Sequence, residues 1–182
     1  MTQIISAVRE QRYLLRGHGT PKGGAMTALV WQEDLNTGID VIDNQHRRIV
    51  AIVNALSDAQ QRQDRRAVGE VLEELVDYTL SHFTFEEALM EDAGYEFGRP
   101  HKRLHDIFAA RIRQYQLRFA EGEDVADELK SMLSRWLFQH IRNDDRAYVE
   151  SVRRNMLKLT SDTSEGGWLS VALKRFFGRK GA

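Results

Sequence analysis

His82 and Glu86 stand four residues apart, and so do His101 and His105. On a helix that spacing leaves two side chains about 40° from eclipsed, so each pair can offer both groups to a common point. His46 and His140 add two imidazoles, and Asp144 and Asp145 follow His140 closely. One histidine on an apolar stripe is ordinarily a core or surface residue; five at such spacings are harder to assign to packing. The neighbouring Phe83, Leu104, Phe108, Trp136, Leu137 and Ile141 place these groups in an interior. There, imidazoles and carboxylates without partners cost several kcal/mol each, and a bound metal removes that cost. The sixth histidine, His18, lies in a glycine-rich stretch and joins no such pair.

Nitrogen and oxygen donors without sulfur suit iron, manganese or zinc, and the chain has no cysteine. Five histidines and two carboxylates exceed what one octahedral ion uses well, whereas two ions bridged by carboxylates use them all. His101, His105 and His140 supply three nitrogens to one ion; His46 and His82 supply two to the other. With Glu86, an aspartate and one further oxygen as bridges, the first ion is six-coordinate. The second is five-coordinate, which leaves a position for a small ligand beside His46 and His82. On these grounds the bridging aspartate stays open. Asp144, at i+4 from His140, suits a regular helix. Asp145, at i+5, lies about 140° round and needs a π-type bulge or approach from a different height.

These residues need helices to position them. Apolar periodicity predicts four, at roughly 43–62, 65–91, 99–120 and 123–158. Asp64 is placed to cap the second and Ala93-Gly94 to end it. Pro100 suits the first turn of the third, and Glu123-Asp124 suit the start of the fourth. Asp43 reads equally as an N-cap or as a group orienting its neighbours. Short connections between four helices imply an all-α, up-down-up-down four-helix bundle.

The chain of 182 residues, 42% apolar and 29% charged, supports one such core with solvated outer faces. A net charge of −1 gives no global field for nucleic acid. No apolar run approaches the ~18–20 residues of a membrane span, and the interrupted N-terminus does not read as a signal peptide. A cytoplasmic protein is the default. Residues 1–25 read as a flexible extension before a domain at 26–159, with Met26 as an alternative start. Residues 160–182 read as a linker and a short basic amphipathic helix. Trp168, Leu169, Ala172, Leu173, Phe176 and Phe177 share its apolar face. Weak contact of residues 168–180 with an anionic membrane is one reading; docking on the bundle or on a second subunit is favoured.

Asp43-x-x-His46, His82-Phe83-x-x-Glu86-Glu87-x-x-Met90, Pro100-His101-x-x-x-His105 and His140-Ile141-x-x-x-Asp145-x-x-Tyr148 form an ordered set. It resembles the hemerythrin family over roughly residues 27–156, and the Trp31 segment resembles the bacteriohemerythrin branch. The resemblance implies two iron ions (Fe2+/Fe3+) with a bridging oxo or hydroxo group and O2 as the ligand. It implies metal ligands His46, His82, Glu86, His101, His105, His140 and Asp145, so the aspartate bridge falls on Asp145. It also implies an apolar oxygen pocket, with Ile49 one turn after His46 and Trp136 one turn before His140 as walls.

Only two coordinating carboxylates leave a ferrous pair net positive, which disfavours high-valent oxidising chemistry. The expected function is therefore reversible dioxygen binding for storage, delivery or scavenging, without catalysis. An oxygen or redox sensor that signals to a partner, and an iron-handling or oxidising di-iron protein, are the competing readings.

Overall fold

The computed structural model describes residues 28–161, with side chains through residue 157. The expected extension at 1–25 and the amphipathic segment 168–180 lie outside the described residues. A lead-in segment containing a 3-10 turn at Glu33–Leu35 precedes helix α1 (Asp40–Gln61). Helices α2 (Arg65–Asp92) and α3 (Gly98–Ala120) follow. The fourth rod is α4 (Ala126–Gln139), a π-helical turn (His140–Asp145) and α5 (Arg146–Ser161). Helix α1 packs on α2 and α4, and α2 packs on α3 and α5. The up-down-up-down bundle predicted by the periodicity is the fold, and the described residues contain no strand.

Each helix end before a connection closes in the same way. Gly94 (φ 63°) donates to Glu91 O at 3.0 Å while Tyr95 N donates to Met90 O at 2.9 Å. Gly122 (φ 104°) repeats the pattern after α3, and Gln63 (φ 54°) repeats it after α1. These paired bonds satisfy the last carbonyls and reverse the chain, which is why so few residues join antiparallel neighbours. Asp64 caps α2 as predicted, its Oδ1 accepting from Ala67 N at 3.0 Å. Pro100 falls in the first turn of α3.

Helix α1 begins at Asp40, three residues before the predicted start. Asp43 is therefore inside the first turn and is not the N-cap. Its buried carboxylate accepts from Thr37 N (2.7 Å), Thr37 Oγ1 (2.8 Å) and Gly38 N (3.0 Å). It pins the lead-in segment to the first turn of α1, and Trp31 of that segment stacks near His46 with ring centroids 6.3 Å apart.

Two apolar clusters fill the interior. The larger includes Ile49, Val53, Phe83, Phe108, Trp136 and Leu137. The smaller includes Ile42, Phe85, Met90, Tyr148 and Val152. Between them lies a polar layer whose side chains, His46, His82, Glu86, His101, His105, His140 and Asp145, are each at most 5% exposed. No described helix is long and apolar enough to cross a membrane.

Candidate metal centre

All seven predicted ligand residues converge in that layer. Ligand atoms of Glu86, His101, His105 and His140 lie within 4.8 Å of one another, and so do those of His46, His82 and Glu86. Within the first group, His105 Nε2 is 3.1 Å from both His101 Nε2 and His140 Nε2. Donors about 2.1 Å from one ion and at right angles to each other stand about 3 Å apart. The imidazole spacing matches that of adjacent ligands on one cation.

The carboxylates divide their oxygens between the two groups. Glu86 Oε1 lies 3.7 Å from both His46 Nε2 and His82 Nε2, while Oε2 lies 3.4 Å from His105 Nε2 and 3.9 Å from His101 Nε2. Asp145 Oδ2 lies 3.3 Å from His46 Nε2, while Oδ1 lies 3.1 Å from His140 Nε2 and 3.5 Å from His101 Nε2. Both carboxylates thus span the gap between the histidine sets.

A π turn brings Asp145 into this layer. In an i→i+5 turn the fifth residue comes round beneath the first, so His140 and Asp145 share a face that a regular helix would deny them. Asp144 takes a different task, its Oδ2 lying 3.1 Å from His140 Nδ1. Two other imidazoles are held the same way. His82 Nδ1 faces Gln45 Oε1 at 2.8 Å, and His105 Nδ1 faces Glu87 Oε1 at 3.0 Å. An acceptor at Nδ1 fixes the ring and leaves the Nε2 lone pair for a metal. Tyr148 Oη donates to Glu86 Oε1 at 2.5 Å. The sequence reading missed Gln45, because its spacing from His46 signals nothing and its partner lies on another helix.

The electrostatics demand cations. Burial pushes His82 down to about 3 and His101 down to about 4, outweighing the nearby carboxylates. Both imidazoles are neutral at neutral pH, the form that ligates. Burial disfavours charge on His140 as well, but Asp145 and Asp144 outweigh it and push that group up to about 10. Burial and Asp145 both work against ionisation of Glu86, yet the surrounding histidines hold it down to about 2. Two buried carboxylates thus face each other across too few protons. His46 Nε2, His82 Nε2, Glu86 Oε2 and both Asp145 oxygens have no hydrogen-bond partner among the described residues. Desolvated and without hydrogen bonds, these atoms carry a large cost that two divalent ions would remove.

Of the predicted pocket walls, Ile49 and Trp136 are both buried beside the layer. Trp136 stacks on His140 (4.3 Å between centroids, 16° between planes) and on Phe108 (3.5 Å). Phe83 lies flat on His105 at 3.8 Å. Phe83 and Trp136 thus cover rings of the three-histidine set, and Phe108 backs both.

A family model for the hemerythrin HHE cation binding domain matches residues 37–152. A bacteriohemerythrin of Pseudomonas paraeruginosa is 65% identical over 153 residues, 84% of this chain and 100% of its own length. Myohemerythrin-1 of Phascolopsis gouldii is 32% identical over 120 residues, 65% of this chain and 90% of its own. A solved wild-type hemerythrin superposes with a TM-score of 0.66 at 29% identity, covering 69% of this chain and 98% of its own. With the bundle, the paired histidine sets and these likenesses in agreement, the chain belongs to the hemerythrin family, its high-identity relatives lying in the bacteriohemerythrin branch.

Proposed function

We propose that the chain binds dioxygen reversibly at a non-haem di-iron centre in the bundle, and that it acts as an oxygen store, carrier or scavenger rather than as an enzyme. The observation that carries this reading is the division of Glu86 and Asp145, each with one oxygen toward His46 and the other toward the three-histidine set. His101, His105 and His140 would hold one iron, His46 and His82 the other, with Glu86 and Asp145 across both. When bound, the iron pair supplies the electrons and the vacant coordination position that reversible dioxygen uptake needs.

The chain's own residues favour binding over turnover. Only two carboxylates would join five imidazoles as ligands, so the loaded site would keep positive charge and give little support to more highly oxidised metal. Phe83, Phe108 and Trp136 exclude water from the layer, and a dry site restrains proton entry and loss of a charged ligand. No side chain in the layer is placed as a nucleophile; the hydroxyl of Tyr148 is already committed to Glu86.

The test is metal analysis combined with optical spectra of deoxygenated, oxygenated and azide-treated protein. Two irons per chain and a band that appears with oxygen and disappears on its removal are expected. One metal per chain, or no oxygen-dependent band, would overturn the reading.

A further inference from the structure

Thr79 on α2 is 2% exposed, and its Oγ1 has no hydrogen-bond partner among the described residues. A helical threonine ordinarily returns its hydroxyl to a carbonyl one turn back. Thr84 Oγ1 does so to Leu80 O at 2.9 Å, and Ser134 Oγ does so to Lys130 O at 2.7 Å. Thr79 makes no such bond. A desolvated hydroxyl without a partner is a cost the fold carries.

The location of this hydroxyl gives it a use. Thr79 precedes His82 by three residues, so the two share one face of α2. Helices α1 and α2 run antiparallel, and His46 and His82 meet across them with ring centroids 4.7 Å apart. Moving one turn toward α1's C-terminus is moving one turn toward α2's N-terminus. The next layer above the His46/His82 pair therefore holds Ile49 from α1 and Thr79 from α2. Ile49 is apolar and belongs with Phe83 and Trp136 to the larger apolar cluster. By this register Thr79 stands one turn from His82, on the half of the centre that has only two histidines.

We propose that Thr79 is a ligand-selecting residue: its hydroxyl donates a hydrogen bond to a small, electron-rich ligand taken up at the His46/His82 end, of the class of dioxygen and azide. This rests on the di-iron reading above. It explains why a polar side chain stands, unpaired, in an otherwise dry layer. A donor there favours ligands that gain negative charge on binding over neutral ones of the same size.

The test compares iron-loaded, full-length wild type with Thr79→Val, which keeps the shape, and Thr79→Ser, which keeps the donor. Ser57 is a second buried hydroxyl without a partner, eleven residues beyond His46 on α1; Ser57→Ala is the control. Azide dissociation constants come from optical titration, iron from metal analysis, and stability from thermal melting of the metal-free chains. Thr79→Val is expected to keep two irons, to melt no lower than wild type, and to bind azide about tenfold more weakly. Thr79→Ser should stay within about threefold of wild type, and Ser57→Ala should bind azide as wild type does. Unchanged azide binding in Thr79→Val with iron intact would overturn the assignment, as would loss of iron from that variant. A wild-type protein that takes up no iron pair or no azide would overturn the di-iron reading itself, and this inference with it.

Discussion

His140 Nε2 lies 3.1 Å from Asp145 Oδ1, although the residues are five apart on one rod, because the helix between them opens into a π turn. The same turn sets Asp144 against the opposite nitrogen of the same ring, at 3.1 Å. One imidazole is thereby held between adjacent aspartates that do different work: one faces the metal layer and the other orients the ring.

That division separates the two aspartates in experiment. Asp145→Asn removes a charge from the carboxylate that spans both histidine sets, so it should fail to retain two irons per chain. Asp144→Asn should retain both but release them to a chelator more readily, by roughly 10–100-fold in affinity, as for other partners of ligating histidines. Metal analysis before and after chelator competition reads both. Equal behaviour of the two variants would contradict the assignment.

The contrast also marks what the sequence could reveal. His82 with Glu86 and His101 with His105 were legible because a regular helix turns i+4 positions to one face. Asp145 was not legible from geometry, which favoured Asp144; a π turn changes the register without leaving a hydrophobic pattern of its own. Only the resemblance to hemerythrins pointed to Asp145. The start of α1 was placed late because Ile39, its N-cap, makes no side-chain cap bond, so Asp43 looked like the boundary. Gln45 depends on a partner 37 residues away, which spacing within one helix cannot reveal.

The buried histidines give the metal-free chain a stability profile with two flanks. His82 and His101, pushed down to about 3 and about 4, are protonated in the unfolded chain first as pH falls. Their contribution is full above the ordinary histidine value near 6.5 and is lost as pH drops through their folded values. His140, pushed up to about 10, works in the opposite direction. Its contribution is full below about 6.5 and is lost as pH rises toward its folded value. The metal-free chain should therefore melt highest near neutrality and lose stability toward about pH 9. In the loaded protein iron takes the place of the His140 proton, so the alkaline flank should flatten. Thermal melting of both forms from about pH 5 to about pH 9 checks this; a metal-free chain equally stable at about pH 7 and about pH 9 would contradict it.

Trp136 serves both packing and exclusion, since it stacks on Phe108 and on His140. Trp136→Ala should cost about 3–5 kcal/mol, which would obscure any effect on the ligand. Trp136→Phe keeps an aromatic face with a smaller loss, and Ile49→Ala thins the apolar packing one turn beyond His46. Both should keep two irons and convert from the oxygenated to the oxidised form faster than wild type, because water and protons reach the layer more easily. Optical decay of the oxygenated spectrum measures this. Decay rates equal to wild type in both variants would remove these residues from the pocket.

The lead-in segment depends on Asp43 and on the absence of a side chain at Gly38. Asp43→Asn keeps one acceptor oxygen but turns an amide donor toward the Thr37 and Gly38 donors, and it should cost roughly 2–3 kcal/mol. Gly38 carries a separate constraint. Its φ is +74°, and a Cβ there would lie 1.8 Å from Arg153 Nη2. That guanidinium cannot simply move away, because it donates to Thr37 O at 2.9 Å. Gly38→Ala should therefore pay twice, once for the left-handed backbone, about 1–2 kcal/mol, and once for displacing Arg153. The second cost disappears when Arg153 is already alanine, so the two substitutions should be less than additive by about 1 kcal/mol. Strict additivity in a denaturant double-mutant cycle would mean that Arg153 yields freely, leaving backbone strain as the whole requirement for glycine at this position.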